Sequence, residues 1–292
     1  MPGTTAPDFP FGVTTLAGGG GEGFPLWSPA LHATQGAWLD CLVHRLRTPA
    51  CSDIFDDSMG LLRQAQAAGR FLPALPNVFL AQAYDLGEPC RCDTRALAPL
   101  GCWANGQCYG AGPYSLNQTH SYENSGIHPR PKLQIGQRLA RGYLALQSGG
   151  AAPAAKLAGC RLDASGSLTL TFDAALLGSE AVRVQTGAPG LLPLQVRTGP
   201  PTNATSGWAF ALSLRALNAT SVEALLPQGT PDAVRYAWAD YPCCPGISTS
   251  TGFCPPESCP IVTSASAEPA LPFYARIVGG KCVCEAPWTC DA

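Results

Sequence analysis

Apolar residues follow a helical spacing in the first half of the chain and an alternating one in the second, with the change of rhythm near residues 148–158. WLDCLVHRL sets Leu39, Leu42, Val43 and Leu46 at helical spacing, and SMGLLRQAQAAGR predicts another helix, starting near Ser58 and stopped by Gly69 and Pro73. FPFGVTTL predicts a short strand. NVFLAQAYDL, apolar and bounded by Pro76 and Gly87, predicts a buried strand of the kind found inside a parallel sheet covered on both faces. LQIGQRLARGYLAL places Leu133, Ile135, Leu139, Tyr143 and Leu146 on or near one helical face and Arg138 and Arg141 off it, so this helix should dock on the sheet. Together these elements predict an α/β layer.

After SGGAAPAAKLAG the segments SLTLTFDA, AVRVQTG, WAFALSLRAL and AVRYAWADYP alternate with period two. In the last of them Val234, Tyr236 and Trp238 should share one strand face, opposite Arg235 and Ala237, which predicts an antiparallel β-rich domain. The expected organisation is an α/β domain over 1–148, a β-rich, sandwich-like domain over 149–276 and a cysteine-rich tail over 277–292. The long segment from Gly87 to about Pro129 reads as a loop that needs staples, and Cys90, Cys92, Cys102 and Cys108 lie within it.

Composition narrows the class of protein. A chain of 292 residues that is 46% hydrophobic can fill a sizeable core. Net charge is −2 with no basic run, which argues against nucleic acid or an anionic membrane as partner. The longest apolar stretches fall short of the roughly 20 residues that a membrane-spanning helix needs. Fourteen cysteines and three Asn-x-Thr sequons, at Asn117, Asn203 and Asn218, point to an oxidising, glycosylating compartment, secreted or lysosome-like. The residues after Met1 show neither a basic n-region nor an apolar h-region, so the expectation is that a leader, if present, is encoded upstream.

Among groups able to do chemistry, His128 in GIHPRPK stands out. Pro129 biases it to extended backbone and the following helix cannot begin before the prolines, so its imidazole sits on a loop at a helix entrance. Such loops gather catalytic groups, and a neutral imidazole is a natural general base, although a lone histidine is more often structural. His32, His44 and His120 have weaker claims. The spacing of Cys90, Cys92, Cys102 and Cys108 departs from paired zinc-ligand motifs, so disulfides are expected and no metal or other cofactor is. Disulfides are also expected of Cys243, Cys244, Cys254 and Cys259, and of Cys282, Cys284 and Cys290. Gly18–Gly21 lacks the Lys-Ser/Thr of a phosphate loop, and Trp238 and Tyr241 read as core before they read as a sugar platform. Neither a GxSxG elbow nor a Gly-Asp-Ser or Gly-Gln-Ser motif supplies a nucleophile.

Several blocks, in order, resemble the sialate O-acetylesterase family, carbohydrate esterases of the SGNH-hydrolase type. They are FPFG (Phe9–Gly12), LRQAQ (Leu62–Gln66), PNVFLAQAYDLGEP (Pro76–Pro89), SGIHPRPKLQIGQRLA (Ser125–Ala140), VRYAWADYPC (Val234–Cys243) and CPIVTSASAEPALPFYA (Cys259–Ala275). The likeness covers residues 9–148 well and 158–275 more loosely, and corresponds to the C-terminal half of that family. It implies part of a flavodoxin-like parallel-sheet SGNH domain joined to β-rich modules, and hydrolysis of acetyl esters on sialic acid or other sugars by a serine paired with histidine. His128 matches the family's histidine in its IHP motif. Where many relatives carry an aspartate, this chain has Ser125 and Gly126, so the orienting acid is open: Glu123 and Asp85 are candidates by position, and a serine–histidine dyad is an alternative. The family's serine motif belongs to an N-terminal segment outside this sequence.

The function expected is therefore that of a carbohydrate O-acetylesterase, with an O-acetylated sugar or glycan as substrate, His128 as general acid/base and the nucleophile upstream. The alternative is a noncatalytic, disulfide-rich, extracellular glycan-binding or structural protein on the same scaffold.

Overall fold

The structure, a computed structural model, describes residues 9–16, 58–68, 71, 75–86, 132–185, 193–199, 207–238, 243 and 259–284. The first strand, β1 (Phe11–Thr14), lies parallel to β2 (Val78–Ala81), with Phe11 opposite Val78 and Thr14 opposite Ala81. Helix α1 (Ser58–Ala68) buries Gly60, Arg63 and Ala67, one stripe at helical spacing. Helix α2 (Lys132–Gln147) packs on both strands of the pair. Glycines allow the close approach: a Cβ at Gly12 would stand 2.7 Å from the Phe79 ring and one at Gly142 2.8 Å from it.

The rest is antiparallel. Strands β3 (Leu157–Leu162), β4 (Ser167–Phe172), β6 (Leu194–Arg197), β7 (Trp208–Phe210), β8 (Ser213–Ala216), β9 (Ser221–Leu225), β10 (Ala233–Tyr236), β12 (Phe273–Val278) and β13 (Lys281–Val283) form one sheet of nine. Its order is β7-β6-β10-β12-β13-β3-β4-β9-β8. Alternating Leu168, Leu170 and Phe172 on β4, Val222 and Ala224 on β9, Val234 and Tyr236 on β10, and Phe273 and Ala275 on β12 meet in a single core. Strands from both ends of the order thus share one interior, as they do when a sheet curls on itself. A second antiparallel pair, β5 (Val182–Val184) with β11 (Ile261–Thr263), adds Val182, Ile261 and Val262 to that core. The four-residue helix α3 (Ala174–Leu177) is capped by Asp173, whose side chain accepts from the N–H groups of Ala175 and Leu176.

The expected α/β class, with a flavodoxin-like parallel sheet, is overturned. Among the described residues the only parallel sheet has two strands, and antiparallel strands dominate. The continuous apolar run of β2 reports burial and cannot report how many parallel neighbours the strand has. Phe11 on β1 is 59% exposed, unlike a strand covered on both faces.

Two local expectations also change. Alternation ends at Tyr236, because Ala237 adopts φ 56° and turns Trp238 out of the strand. Trp238 is buried instead against α1, where a Cβ on Gly60 would fall 2.1 Å from the indole. On α2 the buried stripe includes Arg138 and Gly142, while Leu133 and Tyr143 are exposed. β12 and β13 carry the sheet across position 277 and through Val283. WLDCLVHRL lies outside the described residues.

Among the described residues, Cys160 is bridged to Cys282 and Cys243 to Cys259, Cys284 is also disulfide-bonded, and no cysteine is free. These disulfides suit an extracellular or otherwise oxidising compartment. No helix among the described residues is long and apolar enough to cross a membrane.

Ahead of β5, Glu180 accepts from the backbone N–H groups of Ala265 (2.8 Å) and Ser266 (3.0 Å), which ties the turn after β11 to that strand. Burial raises the Glu180 carboxyl, but those N–H groups outweigh it and hold it below the ordinary range. A depressed carboxyl contributes stability above its unfolded pKa and loses that contribution as pH falls through the folded value. Glu180→Gln is therefore expected to flatten the acid-side fall in melting temperature. An unchanged slope between neutral pH and pH of about 3 in a melting series would remove this role for Glu180.

Candidate functional site

The residues that leave β2 are the most densely connected polar segment described. Gln82, Ala83, Tyr84, Asp85 and Leu86 are all buried. At the neighbouring end of β1, Thr15 donates from its hydroxyl to Gln82 Oε1 (2.9 Å) and accepts from the Ala83 N–H (2.9 Å). Parallel strands end side by side with the same polarity, so the first polar residues after each are brought together.

Asp85, a candidate acid, is fully buried and forked onto Arg138 of α2. Arg138 Nη1 donates to Oδ1 and Nη2 to Oδ2, both at 2.6 Å, and Nη1 also donates to the Gln82 carbonyl at 2.5 Å. Arg138 Nε lies 3.2 Å from Glu268, whose other oxygen accepts from Arg141 at 2.6 Å. Two carboxylates and two guanidiniums thus join the loop after β2, helix α2 and the segment between β11 and β12. Burial raises the Asp85 carboxyl above the ordinary range, against the lowering effect of Arg138, and burial likewise raises Glu268 against Arg138 and Arg141. Burial also lowers Arg138, but Asp85 and Glu268 outweigh it and hold the guanidinium above its usual range.

A second buried guanidinium lies beside the first. Arg63 of α1 donates from Nε to the Leu16 carbonyl and from Nη1 to the Ala237 carbonyl, each at 3.1 Å, and lies 5.8 Å from the centre of the Tyr84 ring. Gln66, one turn on, accepts from the Leu16 N–H at 2.9 Å. The Tyr84 hydroxyl donates to the Ala270 carbonyl. Through Arg63, Tyr84 and Arg138, the strand ends of the parallel pair are fixed to both helices and to the antiparallel part.

His128 and Glu123 lie outside the described residues, as do His32, His44, His120, the cysteines from Cys90 to Cys108, and Tyr241. Asp85 alone of the candidate acids is placed, and both of its oxygens are taken by Arg138. That pair ties the segment after β2 to α2, whose first residue, Lys132, closely follows His128 in sequence. Sequence reasoning missed Arg138 and Glu268. Arg138 was legible, because it falls three residues after Ile135, beside Leu139 and one turn before Gly142, inside the stripe that docks. Glu268 stands in a short Ala/Pro-rich segment with no periodic signal. No cluster of three or more histidine, cysteine or acidic residues suited to a metal occurs among the described residues.

No protein-family model matches the chain, and no curated protein does. Among solved structures, it is similar to the crystal structure of a carbohydrate acetylesterase from Xanthomonas citri, at 19% sequence identity and a TM-score of 0.50. The match covers 91% of this chain and 40% of that one. The chain thus has a carbohydrate-esterase-like fold and spans less than half the length of the esterase it resembles.

Proposed function

We propose that this chain carries the proton-handling half of a carbohydrate O-acetylesterase, whose serine comes from a segment outside the sequence and whose substrates are acetyl esters of sugars, sialic acid among them. The observation that carries the reading is the fold shared with a carbohydrate acetylesterase along most of the chain. The SGIHPRPK block supports it at residue level. His128 takes the serine proton as the hydroxyl attacks the acetyl carbonyl, and returns a proton to the departing sugar oxygen. It then serves water in the same way to release acetate. The orienting acid is Glu123 or Asp85, or the pair acts as a dyad.

The test is acetate release from O-acetylated sialic acid and from acetylated neutral sugars, using the chain together with the polypeptide encoded ahead of it. His128→Ala is expected to lose most of the activity, by roughly the 10²–10⁴-fold typical of a general acid/base, with its melting temperature kept. Retained activity in that variant overturns the role of His128. No acetate release from any acetylated sugar by the unmutated protein favours the glycan-binding or structural alternative.

A further inference from the structure

One exposed turn presents a modification site whose geometry is set by the fold. The hairpin β8–β9 turns through Asn218, Ala219 and Thr220, an Asn-x-Thr sequon with Asn218 exposed. Asn218 Oδ1 accepts from both the Thr220 N–H (2.9 Å) and the Thr220 hydroxyl (3.2 Å), so the threonine is turned onto the amide of its own sequon. The turn is anchored from beneath. The Thr220 carbonyl accepts from the Phe172 N–H and the Ala219 carbonyl from the Val182 N–H, both at 2.8 Å, which holds the backbone down on β4 and β5 while Asn218 stays exposed. The disulfides supply the independent sign of an oxidising, export-type environment.

The hairpin also forms an edge. β8 is the last strand in the order of nine, and among the described residues no further strand pairs with it. Unpaired strand edges invite association and are usually blunted by charge. Here the sole charged residue of β8 is Arg215, and Glu223 of the neighbouring strand neutralises it at 2.7 Å. Leu212 and Leu217, at the two ends of the strand, are 45% and 43% exposed.

We propose that Asn218 carries an N-linked glycan that shields the β8 edge. The donor class is a polyprenyl-diphosphate-linked oligosaccharide. Asn218 Nδ2 forms a bond to C1 of the reducing-end sugar, the bond from C1 to the diphosphate oxygen breaks, and the proton lost from Nδ2 balances the charge of the departing lipid diphosphate. No redox partner is needed, and the proposal is independent of the esterase reading.

The experiment is peptide mass spectrometry on the full chain, directed through a eukaryotic secretory pathway, isolated folded and released with a peptide N-glycosidase in heavy-oxygen water. Heavy-oxygen aspartate at position 218 in most molecules is expected, kept in Thr220→Ser and lost in Thr220→Ala. An unmodified Asn218 in the unmutated protein overturns the proposal, and this reading requires no variant to fold. The shielding is tested by sedimentation of the natively folded protein before and after enzymatic deglycosylation. A concentration-dependent rise in association after sugar removal is expected, while an unchanged sedimentation profile overturns the shielding.

Discussion

Arg138→Met is expected to destabilise the fold by about 3–5 kcal/mol, the usual consequence of stranding one member of a buried ion pair. The reason is specific to the surroundings. Asp85 is fully buried and receives both guanidinium N–H bonds at 2.6 Å, so removing Arg138 leaves a carboxylate without its counter-charge. The Gln82 carbonyl and Glu268 lose a partner in the same step. The double variant Arg138→Met/Asp85→Leu should recover much of the loss, because the cost lies in the unpaired charge rather than in the absence of a salt bridge. Urea denaturation of both variants decides the matter. A loss under about 1 kcal/mol in the single variant, or a double variant no better than the single, would contradict this account.

The same pair predicts a pH signature. Burial already lifts the Asp85 carboxyl above its ordinary range, against the opposing effect of Arg138. A raised carboxyl contributes stability below its unfolded pKa and loses that contribution as pH rises through the folded value. Removing Arg138 takes away the lowering influence and raises Asp85 further. The deficit of Arg138→Met should therefore be largest at neutral pH and shrink on acidification, as the stranded carboxyl takes up a proton.

Cys160→Ala together with Cys282→Ala is expected to lower stability by about 3–5 kcal/mol, from the loss of a cross-link that closes a long loop. The two cysteines are 122 residues apart in sequence. They also sit at the thinnest seam of the nine-stranded sheet. β13 and β3 pair in register only at Lys281 and Arg161, joined by the Leu162 N–H to Gly280 carbonyl bond at 2.7 Å. By contrast, β3 and β4 are paired along the strand, from Leu157 opposite Phe172 to Leu162 opposite Leu168. Without the disulfide, β7-β6-β10-β12-β13 and β3-β4-β9-β8 are held together at this boundary chiefly by the shared core. Hydrogen exchange should then speed up at the Leu162 amide before it does at the amides of β4. Equal protection at both, or an unchanged urea midpoint, would show that the core alone closes the seam. The Cys243–Cys259 bridge closes a loop of 16 residues by sequence separation and should matter less on the entropic account.

How far the fold could be read from the chain varied with the range of the physics. The alternation in SLTLTFDA forecast a half-buried antiparallel strand, and β4 forms with that pattern, because period-two patterning is a local record of which face meets the core; AVRY also forms its antiparallel strand, but all four of its residues are buried. β2 also forms within the segment that its apolar pattern marked, and α2 spans the whole of its own. The α/β class failed because it required counting neighbours. A short apolar strand looks the same whether it lies in a two-stranded pair or in a wide parallel sheet. Trp238 failed for a smaller reason: one residue, Ala237, at positive φ ended the alternation and sent the indole to Gly60.

The candidate site divides in the same way. Sequence alone singled out Asp85 as a carboxyl of interest, His128 as the group placed for proton transfer, and cysteines suited to an oxidising compartment. Composition also argued against nucleic acid and anionic membranes. Only the tertiary structure decided that Asp85 is committed to Arg138, that Glu268 from a distant segment completes the network, and that Cys160 finds Cys282 across the weakest pairing in the sheet. Periodicity and residue chemistry are local and survive in the bare chain. Partners are chosen by which segments the fold brings within a few ångströms, and desolvation, which gives a buried charge its large energetic weight, exists only once that packing has formed.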